Sequence, residues 1–299
     1  MEKDRFMKGI LLAAAGGIGW GISGVCGQYL FMKYDMDTAW LTSVRMLFSG
    51  LMLLMMSIPR GYKKIFGIFR NKADLGHLTA FAIAGLLLCQ YAFLAAVKYS
   101  NSGTATVLQS LNVVIMAIVV AVCSHKKMSR RQIIAIVLAV TGTYLAATNG
   151  DPGRLMVSSK GVIFGLLAAV GVVSYTLLSQ PLIKSRGNIV ITGWGMLIGG
   201  IILSVAVKAW IIPDGLDIRA LIVIAVIVVI GTAGGFSLFL EGVKYIGPVK
   251  GTLIGCLEPA SATVLSALCL GTHFGAMELM GFCAIMATVF MSARREQDH

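Results

Sequence analysis

Ten stretches of this 299-residue chain are apolar for long enough to cross about 30 Å of hydrocarbon at about 1.5 Å per helical residue. They run over 9–31, 38–58, 76–97, 103–124, 132–148, 161–183, 189–207, 220–240, 247–270 and 278–291. Little else remains: 57% of the residues are hydrophobic, 13% are charged, and mean hydropathy is +0.86. No soluble domain of this size hides so much apolar surface. Inside lipid every backbone N–H and C=O needs an internal partner, and runs of this length and composition supply it as helices. The expected fold is an all-α polytopic membrane protein with ten transmembrane helices, the fifth and tenth being the shortest.

A net charge of +12 would suggest nucleic acid in a soluble protein, but here the basic residues sit between the apolar runs and carry topology instead. With the N-terminus inside, eighteen of the 25 Lys and Arg fall in cytoplasmic segments. Six fall outside (Lys33, Lys98, Arg154, Lys160, Lys208, Arg219), and Arg45 lies within a span. That bias places both termini in the cytoplasm of a multi-pass cell membrane protein. The start, with Lys3, Arg5 and Lys8 before an apolar run reaching Phe31, reads as a first span and not a cleaved signal. The six cysteines all fall inside expected helices with no metal-ligand or disulfide spacing, so they read as small packing residues.

The chain repeats itself. At an offset of 146, Leu94, Val97, Lys98, Tyr99, Thr106 and Leu111 match Leu240, Val243, Lys244, Tyr245, Thr252 and Leu257; at 152, Lys8, Gly9, Gly19 and Gln28 match Lys160, Gly161, Gly171 and Gln180. Turn-rich Asn149-Gly150-Asp151-Pro152-Gly153 divides the copies. The expected organisation is a first five-helix repeat over 1–148, an external linker over 149–159, a second repeat over 160–293 and a cytoplasmic tail over 294–299. Five is odd, so the second copy crosses the membrane in the opposite sense, as an inverted-topology repeat. The basic loop 125–131 corresponds to 271–277, where every Lys and Arg is gone. Two near-equivalent packings about one central site suit transport by alternating access.

Polar residues at membrane depth are the candidate site. Glu258 lies about halfway across the ninth run, where a carboxyl must be neutral, paired or facing water. Two readings stand: a cavity role, or structural bonding beside the Pro259 kink. Its repeat equivalent is Asn112, also polar. Arg45 either pairs internally or snorkels outwards from the second helix. Trp20, at the centre of the first helix, either stacks on a substrate or fills space among glycines. Gln90 and Tyr91 in the third helix, Gln109 in the fourth, and Ser174 and Tyr175 in the sixth offer hydrogen bonds at mid-depth. Gln28 and Gln180, paired by the repeat near opposite ends of their helices, are candidate gates. Trp40 and Trp210, near helix ends, read as interfacial belt residues.

The five-plus-five arrangement, the Gly-rich Gly16-Gly17-Ile18-Gly19-Trp20-Gly21, Arg45, and Leu257-Glu258-Pro259-Ala260 in the ninth helix together resemble the EamA-type transporters of the drug/metabolite transporter superfamily, across nearly the whole chain. In that family the fourth and ninth helices usually end in Leu-Gly-Glu. Here the endings are Cys123-Ser124-His125-Lys126 and Leu270-Gly271-Thr272-His273, which leaves Glu258 as the only acid deep in a span. The resemblance implies export or import of small metabolites, often amino acids or related polar organics, through a cavity lined by helices one, three, four, six, eight and nine.

An enzyme acting within the membrane would need several acids, histidines or metal ligands around a nucleophile, and one deep acid does not supply them. No Gly-rich phosphate loop is present, so ATP does not drive the cycle directly, and no cofactor or metal is expected. Coupling is to protons, to the substrate gradient, or to nothing. The expected partners are the lipid bilayer and a small-molecule metabolite, with no nucleic acid and an oligomeric state left open. A channel-like pore or a non-transporting scaffold is the alternative function.

Overall fold

The computed structural model describes residues 2–60, 65–123, 130–148, 150–151, 157–246, 251, 254–255 and 257–293. All regular structure among them is helical. We number the helices α1 (Glu2–Tyr34), α2 (Thr38–Ser57), α3 (Lys72–Tyr99), α4 (Ser102–Cys123), α5 (Arg130–Thr148), α6 (Ser159–Arg186), α7 (Asn188–Val207), α8 (Ile218–Ile246), α9 (Leu257–Leu270) and α10 (Ala276–Ala293). Seven are long and apolar enough to cross a membrane: α1, α2, α3, α4, α6, α7 and α8. The shorter apolar helices Ile133–Thr148, Leu257–Leu270 and Ala276–Thr288 fall on the fifth, ninth and tenth expected runs. The start of the ninth run, the basic loop at 124–129, the centre of the expected linker with Asn149 and 152–156, Cys256 and the tail at 294–299 lie outside the described residues.

Local chemistry starts the helices where the turns demand it. Asp37 accepts from the backbone N–H of Trp40 at 2.7 Å, Asn101 from Thr104 at 2.8 Å, and Asp217 from Ala220 at 2.9 Å. Each short side chain satisfies one orphan donor of the first turn. Between helices the fold relies on aliphatic burial, with Leu30, Leu41, Leu94 and Ile227 enclosed in one cluster and Met46, Leu86, Leu182 and Ile191 in another. Around the periphery the pattern reverses: Val140, Val205 and Leu268 are among many large apolar side chains left exposed. That is the surface expected of helices solvated by lipid.

Helix ends gather on two faces. On one, Tyr34 donates to Asp217 at 2.6 Å, Lys98 pairs with Asp35 at 3.0 Å, Ser158 donates to the Tyr99 carbonyl at 2.7 Å, and Thr104 donates to Glu278 at 2.8 Å. Opposite them, Arg186 pairs with Asp74 at 3.0 Å and the Trp194 indole donates to the Ile65 carbonyl at 2.8 Å. Successive helices therefore run up and down. Trp40 departs from the sequence expectation: it is 8% exposed, and its indole N–H is shared between the carbonyls of Ala209 and Ile211 at 3.0 and 3.1 Å. It fastens α2 to the end of α7 instead of floating at the interface. Trp210, 66% exposed, keeps the position of a belt residue.

Each half lends its first helix to the other half's third. Lys8 at the start of α1 holds its Nζ 5.9 Å from the centre of the Tyr245 ring on α8. Lys160, its counterpart at the start of α6, holds its Nζ 5.2 Å from Tyr99, the counterpart of Tyr245 on α3. These two cation–π contacts lie at opposite faces. In the middle of the same helix pairs, Gly85 receives Tyr175, whose Cβ would stand 2.7 Å from a Cβ at that glycine, and Gly231 receives Ser23. Gly231 corresponds to Gly85 at the offset of 146, and Tyr175 to Ser23 at 152.

Both of these glycines lie in a widened turn. Phe81–Leu87 of α3 and Ile227–Gly234 of α8 are π-helical, at matching positions of the two repeats. The Leu88 N–H reaches the Ile83 carbonyl, and the Gly235 N–H reaches that of Ile230, five residues back in each case. Such turns insert an extra residue into a helix and re-aim the side chains beyond it.

Candidate functional site

The widened turn of α8 positions Thr232, whose hydroxyl donates to the Ile227 carbonyl at 2.9 Å, again five residues back. That leaves the hydroxyl's lone pairs facing α2, where Arg45 donates its Nε–H to Thr232 Oγ1 at 2.8 Å. Arg45 is 3% exposed and Thr232 is fully buried. The guanidinium is therefore held inside the helical assembly, which decides between the two readings of Arg45: it bonds internally and does not snorkel. Its Nη1 is buried and hydrogen-bonded to nothing.

Around Arg45 the structure collects several of the residues singled out in the sequence. Arg45, Cys89 and Glu258 lie within electrostatic range of one another, and Tyr175 within range of Cys89 and Glu258. Gln109 on α4 donates to Cys89 Sγ at 3.3 Å, which gives that cysteine a polar contact beyond the packing role expected of it. Helices α2, α3, α4, α6 and α9 thus each contribute a side chain. No ion pair joins Arg45 to Glu258 among the described residues, so the two side chains share a region without bonding each other. Glu258 is partly exposed at the start of α9. Its backbone packs on α1, where the Glu258 carbonyl would lie 2.9 Å from a Cβ at Gly21. Its carbonyl also accepts from Ser261 at 3.0 Å. Gln90 on α3, 5% exposed, has an unpartnered Nε2.

Other candidates lie elsewhere. Asn112 begins the second half of α4, after a break at Ser110 and Leu111, and its amide is spent on the Gln109 carbonyl at 2.7 Å. Trp20 packs against Phe236 and Phe239 of α8 with centroids 5.2 and 4.8 Å apart, and its buried indole N–H has no partner. Tyr91 meets Phe164 edge-on at 6.0 Å, in an aromatic group that also stacks Tyr99 on Phe164. Ser174 is partly buried beside Tyr175.

Gln28 is the centre of a second polar group. Its Oε1 accepts from the Ser102 N–H at 2.9 Å and the Ser266 hydroxyl at 3.0 Å, while its Nε2 donates to Thr272 Oγ1 at 2.9 Å. The Ser266 and Thr272 hydroxyls are also hydrogen-bonded to each other, 2.7 Å apart. These bonds tie α1 to the start of α4 and the end of α9, beneath a cleft of about 310 Å³ lined by Phe31, Met32, Asp35, Val97 and Lys98. Gln180, its repeat mate, is exposed beside Pro181. The repeat carries the residue but not the network.

Sequence reasoning missed Thr232, Ser102, Ser266 and Thr272. Thr232 had one signal, a lone hydroxyl among Gly231, Ala233 and Gly234; the others are ordinary small polar residues until a neighbouring helix brings Gln28 to them.

A bundle of apolar helices with an apolar periphery and the guanidinium of Arg45 buried within it defines a multi-pass membrane protein. Residues 7–148 and 159–294 each match the EamA-like transporter family. The chain belongs to that family. It is 34% identical over 284 residues to YicL of Salmonella typhimurium, an uncharacterized inner membrane transporter, covering 95% of this chain and 94% of that one. An uncharacterized transporter of Clostridium kluyveri is 24% identical over 287 residues, covering 93% and 91%. A solved crystal structure shares the fold with a TM-score of 0.59 at 14% identity, covering 98% of both chains. These names describe transporters, not enzymes.

Proposed function

We propose that this protein is a secondary transporter of small polar metabolites, amino acids or related organic solutes among them, working by alternating access. Its two halves, divided at the 149–159 linker, are inverted five-helix repeats of a ten-span protein with both termini in the cytoplasm of the cell membrane. The observation that carries the reading is the exchanged packing: Lys8 on Tyr245 and Lys160 on Tyr99 are one contact made twice, at opposite faces. Within that doubled frame the Gln28 network is made at one end while its repeat mate Gln180 is exposed at the other, and a near-equivalent packing with the roles exchanged would close the opposite mouth. The paired π-turns, each beside a glycine that admits a side chain of the neighbouring half, give both halves the same joint.

In this reading the region between Arg45, Gln109, Tyr175 and Glu258 binds the solute, and Gln28 closes the outer mouth. Carriage is proton-coupled through Glu258 or facilitative. Thermal-shift screening of purified protein against a metabolite panel, followed by counterflow of each hit in liposomes, tests it. A saturable stabilisation with accelerated exchange of labelled solute is expected. Uptake that shows no trans-acceleration and no saturation indicates a channel-like pore instead.

A further inference from the structure

A charged group at membrane depth is costly unless something there uses it, and Arg45 is only partly used. The guanidinium stays protonated at any physiological pH and offers five donors in a rigid plane. One of these, Nε–H, is committed to Thr232. That bond is itself oriented, because Thr232 spends its own proton across the π-turn on Ile227. The fork is therefore fixed with its Nη1 buried and free. Glu258, the one acid in range, makes no ion pair with it among the described residues. Gln90 adds a second unpartnered donor on α3, which packs on α2.

We propose that the free edge of Arg45 is the docking point for a carboxylate of the transported solute, which makes carboxylate-bearing metabolites the substrate class. The assignment rests on the transporter reading given above. A carboxylate matches the spacing and planarity of guanidinium donors and turns a buried, unpaired cation into a paired one. A solute whose carboxyl is replaced by an amide keeps nearly the same shape and loses that gain. Glu258, standing off across the site, then faces the opposite end of the solute and favours a cationic or hydrogen-bond-donating group there. Phosphate, with more charge and more acceptor oxygens, asks for more donors than one free edge supplies.

The test uses full-length purified protein and matched pairs: glycine, alanine and serine with their amides, and acetate, lactate and succinate with theirs, inorganic phosphate being added as a further probe. At least one acid should raise the melting temperature saturably while its amide, at the same concentration, does not. Arg45→Gln should abolish that shift, and Arg45→Lys should weaken the affinity about tenfold or more, since an ammonium keeps the charge without the fork. If Arg45→Gln does not fold, Thr232→Val replaces it: the charge stays, its orientation is lost, and the apparent Kd for the acid should again rise about tenfold. The assignment is overturned if the amides stabilise as well as the acids, if phosphate alone stabilises, if no acid binds, or if the folded variants keep the full shift. Counterflow of the stabilising acid in liposomes separates the two readings. Binding that needs Arg45 but produces no exchange leaves the carboxylate site standing and removes the transporter reading.

Discussion

Gly50 of α2 lies so close to α7 that a Cβ there would stand 2.6 Å from the backbone nitrogen of Leu197. The relationship recurs with the halves exchanged: a Cβ at Gly200 of α7 would stand 2.7 Å from the backbone nitrogen of Leu47. Two helices that approach through glycine at both ends of one contact hold each other by dispersion over a large area, the association available where lipid supplies no hydrophobic drive. Like the lysine–tyrosine pairs, this seam joins the two repeats.

Gly50→Ala and Gly200→Ala should each destabilise the detergent-purified protein by about 1–3 kcal/mol, because backbone and not a flexible side chain must move. Gly76→Ala, at a helical glycine with nothing within 4 Å of the added carbon, is the control and should be neutral or slightly stabilising. Equal melting temperatures for all three would mean the seam is looser than described.

Reporter fusions check the membrane sense of the two faces. A fusion after Met128 should report the cytoplasm and one after Asn149 the outside, because one helix, α5, separates them. The same compartment for both would remove the inverted-repeat argument along with the helix order of the first half.

Gln28→Ala leaves the Ser102 N–H without its acceptor, while the Ser266 hydroxyl keeps its bond to Thr272. A buried N–H stranded in this way costs about 1–3 kcal/mol. If these bonds close the outer mouth, the variant should react faster with a water-soluble thiol reagent at Cys26, deeper on α1 by two residues, in a protein whose other cysteines are removed. Unchanged labelling, with the protein still folded, would reduce Gln28 to a packing bond.

Glu258→Gln keeps the shape of the side chain and removes its titration. Accumulation of solute driven by an imposed proton gradient should be abolished in liposomes, with solute exchange still measurable. Undiminished accumulation would move any proton coupling away from α9.

Asp217 offers a pH signature at the rim of the protein. The Tyr34 hydroxyl, and after it the Ala220 N–H, hold its carboxyl below the usual range. A carboxyl whose folded value is depressed adds stability above its unfolded value of about 3.9, and that stability drains away as pH falls through the folded value. Wild type should therefore melt above Asp217→Asn at pH 6, and the gap should start to close as pH falls below about 4 and vanish once it has passed the lower folded value. A difference that persists into stronger acid would assign the effect to something other than this charge.

The amino-acid sequence alone determined the membrane class, the helical class and the doubling. Lipid leaves a chain of 57% hydrophobic residues few alternatives, and matching residues such as Lys8 with Lys160 or Tyr99 with Tyr245 are visible without coordinates. What it left open at Arg45, a snorkelled anchor or an internal bond, depended on Thr232, which lies 187 residues away and has no periodic signature. Trp40 looked interfacial because depth along a helix is legible in sequence while the face it presents is not; the carbonyls of Ala209 and Ile211 claimed it. The π-turns were invisible for a related reason, since a widened turn is chosen by what packs against it, here Tyr175 against Gly85 and Ser23 against Gly231. Hydropathy is a sum over neighbours in the chain, and so it survives in one dimension. The partner of a buried donor is chosen among neighbours in space, and only the tertiary structure decided that Gln28 ties three helices together while Gln180, its twin by descent, lies exposed.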